Sequence, residues 1–292
     1  MLLVKAHTSP WHHVTTSPGH HFLVPTAQRL DLGDVRVCVR DSGVGQRCVV
    51  LIHGWLLDGV TTFASAFSAL ADQGWRVVSV DLPGHGGTRD AESFSLLRGA
   101  DIVIRVLDEL GIDEAAFVGY SMGGPVTQLV AKSYPGRVSA LVQVATAACI
   151  TTGLERGGLK TAARVLEVGA RANVLPVRWW RSIASTHTEH GNLVRHASWL
   201  AVGGDPHAWL RAAGQLCDFD SRLWVGSLDV PAASVVTVRD HAVAVAAQEE
   251  LCRLLGAERF EVAHGHSACL HADFGQTLVR ACRAVDVSCE NK

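Results

Sequence analysis

A serine inside a short glycine-rich motif is the first residue of this sequence that could carry chemistry. Ser121 lies in Gly119-Tyr120-Ser121-Met122-Gly123, between the apolar run AAFV and the helix-like stretch MGGPVTQLVAKSY. The pattern G-x-S-x-G where a strand gives way to a helix is typical of a nucleophilic serine, because the glycines permit a sharp turn that lifts the hydroxyl above a sheet. The start of a helix also favours negative charge that develops nearby. Since serine is a weak nucleophile by itself, this chemistry requires a base and an acid that orients the base.

The segments around this motif alternate between strand-like and helix-like patterns. Four strand-like runs predict a parallel sheet, namely Cys48–His53, Arg76–Asp81, Ala115–Val118 and Ala140–Val144. The first is a continuous apolar run, as expected of a central strand buried on both faces. The stretches between them have apolar residues at helical spacing: Thr62–Gln73, Leu97–Leu110 and Met122–Tyr134. Two short strands are expected before the first run, beginning near Arg29. Because connections between parallel strands are right-handed, the sequence predicts the α/β class, with a mostly parallel central sheet and helices on both faces.

The alternation stops between residues 147 and 228, and this break defines the expected domains. The segment contains helix-like stretches such as GGLKTAARVLEV and HAWLRAAGQLC and no convincing strand, so we expect an inserted helical cap. The strand-like runs ASVVTV and RFEV follow, so residues 27–146 and 229–292 are expected to form one core. Residues 1–26 contain five histidines and show no apolar periodicity, which predicts a flexible N-terminal arm.

Five segments of the chain together match the motifs of one known family. They are LIHGW at 51–55, DLPGHGGT at 81–88, GYSMGG at 119–124, VTVRD at 236–240 and HGH at 264–266. With these motifs the chain resembles the α/β-hydrolase superfamily over nearly everything from about residue 28 to 285. The resemblance implies an α/β-hydrolase fold with a helical lid, and the activity of a serine hydrolase similar to esterases and lipases.

The resemblance also implies roles for residues other than Ser121. The family order of nucleophile, acid and histidine implies that Asp240 is the acid and His266 is the base. LIHGW resembles the family's loop after the third strand, which implies that the backbone N–H groups of Trp55 and Met122 form the oxyanion hole. Asp240 directly follows an arginine and so departs from the family's commoner Gly-x-x-Asp arrangement.

Other acids and histidines remain open as alternatives at this stage. Asp218 and Asp220, at the end of the insertion, are the alternative acids, and His264 is the alternative base. His241 adjoins Asp240 in sequence and is expected at the surface or at a gate. His85, in the turn sequence PGHGG, is expected to be structural rather than catalytic.

Composition and motifs argue against several other kinds of function. The net charge of −2, from 26 basic and 28 acidic residues, does not favour binding to nucleic acid or to an anionic membrane. The sequence has no apolar run near the ~18 residues of a membrane span, and its N-terminus lacks the apolar core of a signal peptide, so a cytoplasmic location is expected. The eight cysteines are scattered singly, and HExxH, GxGxxG and GxxxxGK are absent. We therefore expect no metal site and no cofactor.

These observations predict a hydrolase of a small to medium, rather apolar carboxylic ester, lactone or thioester, working as a monomer or homodimer. The apolar character is suggested by the tryptophans of the insertion, which could line a cavity or form the cap's own core: Trp179, Trp180, Trp199, Trp209 and Trp224. The same residues could instead serve acyl transfer, carbon–carbon bond hydrolysis, perhydrolysis or a cyclisation in secondary metabolism. A third hypothesis is a ligand-binding protein that keeps the hydrolase frame without catalysis.

Overall fold

The computed structural model describes residues 11–17, 20–88, 94–150 and 205–286, and an eight-stranded sheet lies at its centre. In chain order the strands are β1 Trp11–Ser17, β2 His20–Pro25, β3 Ala27–Asp31, β4 Arg36–Asp41, β5 Arg47–Ile52, β6 Trp75–Val80, β7 Ala115–Tyr120, β8 Val138–Val144, β9 Ala232–Thr237 and β10 Glu258–Val262. The sheet has the order β10-β9-β8-β7-β5-β6-β4-β3. Strands β5 to β10 are parallel, and β4 and β3 extend the sheet as antiparallel strands at one edge. The predicted mostly parallel sheet is confirmed.

Helices cover both faces of this sheet, as the strand-helix alternation predicts. The helices are α1 Gly59–Ala71, α2 Leu96–Glu109, α3 Gly123–Ser133, α4 Pro206–Asp218, α5 Val245–Leu255 and α6 Phe274–Ala284. Successive residues of β5 point to opposite faces: Val49 and Leu51 belong to the core under α1 and α6, and Val50 and Ile52 to the core under α2 and α3. All four side chains are fully buried, which is why this strand has a continuous apolar sequence instead of an alternating one. Among the described residues, no helix is both long enough and apolar enough to cross a membrane.

An antiparallel hairpin precedes the sheet and differs from the flexible arm expected for residues 1–26. β1 pairs with β2, and both strands pack beside α1. Val24 is fully buried, and Trp11, Val14 and Phe22 pack against the same core. Trp11 and Val14 are three residues apart, so they do not fit the two-residue period of a strand, and the register shifts after Thr15. The sequence therefore shows no alternating strand pattern for this hairpin. Residues 1–10 of the predicted arm lie outside the described residues.

The inserted segment leaves the sheet after β8 and returns before β9, although these two strands are direct neighbours. Its two ends are hydrogen-bonded to each other. The Ser221 N–H donates to the carbonyl of Ala148 at 2.8 Å, and the backbones of Cys149 and Asp220 pair as an isolated antiparallel β-bridge. The predicted helix within HAWLRAAGQLC is present as α4. Most of the predicted cap, residues 151–204, lies outside the described residues, and with it Trp179, Trp180 and Trp199.

Helix α4 lies at the edge of the sheet where the parallel strands have their carboxyl ends. The N–H of Asp205 donates to the carbonyl of Gly84 in the loop after β6, at 3.0 Å. Gly84 has a φ of +75°, and a Cβ there would lie 2.1 Å from the Cβ of Ala208. A side chain at this turn would therefore push α4 away. In parallel sheets this edge is where ligands bind.

Candidate active site

Ser121 lies directly after β7 and has a backbone conformation that is unusual for serine. Its φ is +50°, in the left-handed region, which costs a non-glycine residue about 1–2 kcal/mol. Three hydrogen bonds hold it there: the Ser121 N–H donates to Val144 O at 2.9 Å, and Ser121 O accepts from Gly124 N at 2.9 Å and from Thr146 Oγ1 at 2.8 Å. A strained residue held by its surroundings at the end of a strand is often a functional one.

The glycines of the motif are required by close backbone approaches. A Cβ at Gly119 would lie 2.5 Å from the carbonyl oxygen of Gly123, and a Cβ at Gly123 would lie 2.1 Å from that of Ile52 in β5. A Cβ at Gly124 would lie 2.2 Å from Thr146 Oγ1. These distances give the physical reason for the spacing of glycine around Ser121, because any side chain would separate α3 from the sheet.

The structure brings His266 and Asp240 to Ser121 as a continuous chain of hydrogen bonds. Ser121 Oγ lies 2.9 Å from His266 Nε2, and His266 Nδ1 lies 2.8 Å from Asp240 Oδ2. Ser121 follows β7, Asp240 follows β9 and His266 follows β10, so three loops at one edge of the sheet supply the three side chains.

Asp240 is buried in a set of hydrogen-bond donors that stabilises its ionised form. Its Oδ1 accepts from the N–H groups of Ala242 and Val243, at 2.8 and 2.9 Å. Its Oδ2 accepts from Thr237 Oγ1 at 2.7 Å as well as from His266. Burial acts to raise the pKa of Asp240, but the bonds from His266, Val243 and Thr237 outweigh it and hold the pKa below its ordinary value.

An ionised Asp240 fixes the orientation and the tautomer of His266. Because the carboxylate only accepts hydrogen bonds, Nδ1 of His266 carries the proton that it donates to Asp240. In the neutral imidazole, Nε2 is then an acceptor and faces the hydroxyl of Ser121. This arrangement is able to remove the proton from the serine hydroxyl.

Thr237 and Gln248 take part in this arrangement and were missed in the sequence. Thr237 stands three residues before Asp240, at the position where the commoner family arrangement has glycine. Unlike glycine, it has a hydroxyl that donates a hydrogen bond to Asp240. The buried amide of Gln248 bonds to Thr237 Oγ1 at 2.9 Å and lies 3.3 Å from Asp240 Oδ2. The departure from Gly-x-x-Asp could have indicated a role for Thr237. No local sequence pattern marks Gln248, which lies in α5.

The loop after β5 lies against Ser121 and presents one of the expected oxyanion donors. A Cβ at Gly54 would be 3.5 Å from the Cβ of Ser121. His53 holds this loop, since its Nδ1 lies 2.8 Å from Gly54 O and its Nε2 accepts from the N–H of Leu82 at 2.9 Å. The N–H groups of Trp55 and Met122 have no backbone acceptor within the part of the chain that the structure describes. Both therefore stay candidates for the oxyanion hole.

Trp55 also links this loop to the inserted segment. Its indole Nε1 donates to the carbonyl of Trp209 in α4, at 2.9 Å. Its side chain is about one third exposed, whereas Met122 is fully buried. The residue that carries one expected oxyanion donor is thus bonded to the helix that lies over the strand ends.

The alternative base and acids do not meet Ser121 or His266. His264 Nε2 lies 3.2 Å from the carboxylate oxygens of Asp273, and its ring stacks on that of His271 with a centroid distance of 3.6 Å. Asp220 is paired with Arg222. Asp218 and His241 are both exposed.

His85 is buried in the packing of the turn between β6 and α2. Its Nδ1 lies 3.1 Å from the carbonyl of Pro83, and its ring lies 5.3 Å from that of His53 and 6.5 Å from that of Trp209. Burial, together with the neighbouring His53, lowers the pKa of His85 to about 3, so this residue is neutral at physiological pH. Its position agrees with the structural role expected from the sequence. Within the described ranges, no group of three or more potential ligand side chains is placed to hold a metal ion.

Known proteins share part of this chain's sequence and its fold. A family model described as the alpha/beta hydrolase fold matches residues 47–161. A 2-hydroxy-6-oxononadienedioate/2-hydroxy-6-oxononatrienedioate hydrolase of Paraburkholderia phymatum is 39% identical over 119 residues, covering 37% of this chain and 39% of that protein. A pimeloyl-[acyl-carrier protein] methyl ester esterase of Edwardsiella ictaluri is 35% identical over 119 residues, covering 41% of this chain and 44% of that protein. The chain thus matches about two fifths of the length of these curated relatives.

Two solved structures are similar over most of the chain. Bromoperoxidase from Bacillus anthracis has a TM-score of 0.74 at 18% identity, covering 88% of this chain and 99% of that one. The enol-lactonase from Burkholderia xenovorans LB400 has a TM-score of 0.70 at 21% identity, covering 88% of this chain and all of that one. At this level of identity the likeness shows the fold. The sequence match contains Ser121 and the loop after β5, whereas Asp240 and His266 lie beyond it.

Proposed function

We propose that this chain, a member of the α/β-hydrolase superfamily, is a serine hydrolase that cleaves carboxylic esters. The observation that carries the proposal is the hydrogen-bonded chain from Ser121 through both ring nitrogens of His266 to the buried carboxylate of Asp240. Two backbone N–H groups without a backbone acceptor among the described residues, those of Trp55 and Met122, belong to the segments that adjoin the serine. A nucleophile, a base, an acid and candidate oxyanion donors are the parts that acyl transfer to water requires.

In the first half of the reaction the serine becomes acylated. Ser121 Oγ attacks the carbonyl carbon of the substrate while His266 Nε2 takes its proton, and Asp240 stabilises the imidazolium that forms. The carbonyl oxygen gains negative charge and is bound by the N–H groups of Trp55 and Met122, each of which typically contributes ~10²–10³-fold to the rate. The imidazolium then gives its proton to the departing alcohol, which leaves an acyl ester on Ser121.

In the second half, water releases the acid and restores the enzyme. His266 removes a proton from a water molecule, which attacks the acyl carbonyl, and the same two N–H groups bind the oxyanion again. The imidazolium returns its proton to Ser121 Oγ as the acid departs. Each turnover consumes one water and forms one acid and one alcohol.

The substrate that we propose is a small to medium, rather apolar ester, lactone or thioester, under a cap formed by residues 147–228. Trp209 and Phe94 lie buried around the neutral His85 beside the loop after β5, so this part of the cap's contact with the core is apolar and uncharged. A relative named as a methyl ester esterase and a solved enol-lactonase are in keeping with this substrate class. A cytoplasmic location and a monomeric or homodimeric state stay predictions from the sequence.

A fluorophosphonate tests the proposed nucleophile before any substrate has been identified. We expect the intact mass of the folded protein to increase by a single adduct, and the Ser121→Ala variant to gain none. Ser139→Ala is the matched control, because Ser139 lies at the amino end of β8, away from the triad, and this variant should react like the wild type. The proposal fails if the folded wild type does not react or if Ser121→Ala reacts equally.

Esters of graded acyl length then test the substrate class. An apolar pocket predicts that kcat/KM rises with chain length over the first few methylenes, since each buried CH₂ contributes about 0.8 kcal/mol of binding. A flat profile would count against a lipophilic pocket while leaving the nucleophile in place.

Carbon–carbon bond hydrolysis is the second candidate. The relatives in Paraburkholderia phymatum and Burkholderia vietnamiensis are named hydrolases of 2-hydroxy-6-oxononadienedioate. This compound is an oxo-dicarboxylate and has no ester bond to cleave. Product analysis separates the two reactions, because ester hydrolysis yields an alcohol and cleavage of such a compound does not. Turnover of the oxo-dicarboxylate with no turnover of any ester would favour this second candidate.

A further inference from the structure

Tyr120, the residue before the nucleophile, contacts the loop that carries His266. Its hydroxyl donates a hydrogen bond to the backbone carbonyl of His266, at 2.5 Å. Its ring lies 5.9 Å from the imidazole of His266 and meets the ring of Phe274 edge-on at 5.8 Å. Since Phe274 begins α6, Tyr120 touches the loop between β10 and α6 at both His266 and its far end.

We propose that Tyr120 is a positioning residue, which sets the distance between Ser121 and His266 by anchoring the backbone of His266. This inference rests on the proposed function. The side chain of His266 is tethered at Nε2 to Ser121 and at Nδ1 to Asp240, and the hydroxyl of Tyr120 tethers its main chain. Because Tyr120 and Ser121 are consecutive, one rigid stretch of backbone fixes both the nucleophile and the base.

The surroundings of Tyr120 make it suitable as a fixed anchor. The residue is 1% exposed and ends β7, which pairs with β5 on one side and β8 on the other. Burial, with the adjacent Cys269 thiol, raises the pKa of Tyr120 well above its ordinary value, so the hydroxyl keeps the proton that it donates. A buried ring packed between neighbours has few alternative rotamers, and its hydroxyl is therefore held in place.

The Tyr120→Phe variant tests this inference, because it removes the hydroxyl and keeps the ring that packs on Phe274. We expect kcat for an activated ester, and the rate of fluorophosphonate reaction, to fall by about ten-fold, with KM unchanged within about two-fold. The chain has only one other tyrosine, Tyr134, whose hydroxyl donates to Asp101 at 2.8 Å on the surface of α2. Tyr134→Phe removes a hydrogen bond of the same kind and should leave kcat and the labelling rate unchanged.

Two further measurements separate positioning from general stability. Substitution of 4-aminophenylalanine at position 120 restores an N–H donor to the same ring and should recover most of the lost rate. The proton between His266 and Asp240 should give a downfield NMR signal that is absent in Asp240→Asn, broadened or shifted in Tyr120→Phe, and unaltered in Tyr134→Phe.

The outcomes distinguish this inference from the proposed function. If the wild type forms no adduct at Ser121, the proposed function fails, and the NMR signal still tests the anchor. If the wild type reacts and Tyr120→Phe matches it in rate and in NMR signal, the inference is overturned while the function stands. A rate that 4-aminophenylalanine does not recover would assign the effect to packing and would also overturn the inference.

Discussion

Replacement of Thr237 by valine tests the account of Asp240 most directly. Valine has nearly the shape of threonine, so Thr237→Val removes one hydroxyl that donates to the buried Asp240 carboxylate at 2.7 Å. Hydrogen bonds to charged groups contribute about 1.5–3 kcal/mol. Three donors besides Thr237 remain within 3 Å, from Ala242, Val243 and His266, so we expect a loss of about 1.5–2 kcal/mol in the free energy of unfolding at pH 7, at the lower end of that range.

The loss of stability should depend on pH with a defined sign. The pKa of Asp240 is lower in the folded than in the unfolded state, so its ionisation stabilises the fold above the unfolded pKa of about 3.9. This stabilisation is lost as the pH falls through the folded pKa. Thr237→Val removes part of the cause of the depression and raises the folded pKa. The difference in stability between variant and wild type should therefore shrink from pH 7 to pH 3.

The assay is urea unfolding at both pH values, with Thr62→Val as the matched control. Thr62 is fully buried in α1, and its hydroxyl has no hydrogen-bond partner among the described residues. Removing an unsatisfied buried hydroxyl should be neutral or stabilising by up to about 1 kcal/mol, at either pH. The reasoning is refuted if Thr237→Val costs no more than Thr62→Val at pH 7, or if its cost is the same at both pH values.

Three further predictions follow from distances in the site. Gly123→Ala should destabilise the fold by about 3 kcal/mol or more, because its Cβ would overlap the carbonyl of Ile52; a thermal unfolding midpoint like that of the wild type would contradict this. His266→Ala should lower kcat for an activated ester by about 10⁴-fold, while His264→Ala should change it by less than about three-fold, and comparable losses in both would reject His266 as the base. Trp55→Phe should lower kcat by about ten-fold, because the loop that carries the proposed oxyanion donor, the backbone N–H of residue 55, loses the indole hydrogen bond to α4. An unchanged kcat would show that this bond does not position the loop.

The sequence predicted the parts of this site that local pattern encodes. Ser121 was marked by its flanking glycines and by its place between a strand and a helix, both of which follow from backbone geometry within a few residues. The β5 strand was visible because burial on both faces demands a continuous apolar run. His266 and Asp240 were placed by family resemblance, because nothing local marks two loops that meet only after the sheet has formed.

Features that depend on contacts between distant segments were not visible in the sequence. Thr237 looks like any strand residue until β9 and the turn after it place its hydroxyl on Asp240. The hairpin of β1 and β2 was missed because it has no regular apolar pattern of its own. Its apolar residues are ordered by packing against α1, which is distant in the sequence. Tyr120 has no signature either, since its hydrogen bond spans 146 positions of the chain.

In the proposed hydrolase, the closed ends of the inserted segment keep the part that would set the substrate range apart from the part that would carry the chemistry. The bonds between Ala148 and Ser221 and between Cys149 and Asp220 form a stem, and β8 and β9 are already in register below it. The free energy of closing a loop grows only slowly with its length, by about 0.6 kcal/mol for each doubling. Segments of very different length and sequence can therefore be grafted onto the same stem without shifting the strands that hold Ser121, Asp240 and His266. If the proposed function holds, a new substrate specificity could be engineered by replacing the inserted segment while the sheet and the three loops of the site stay unchanged.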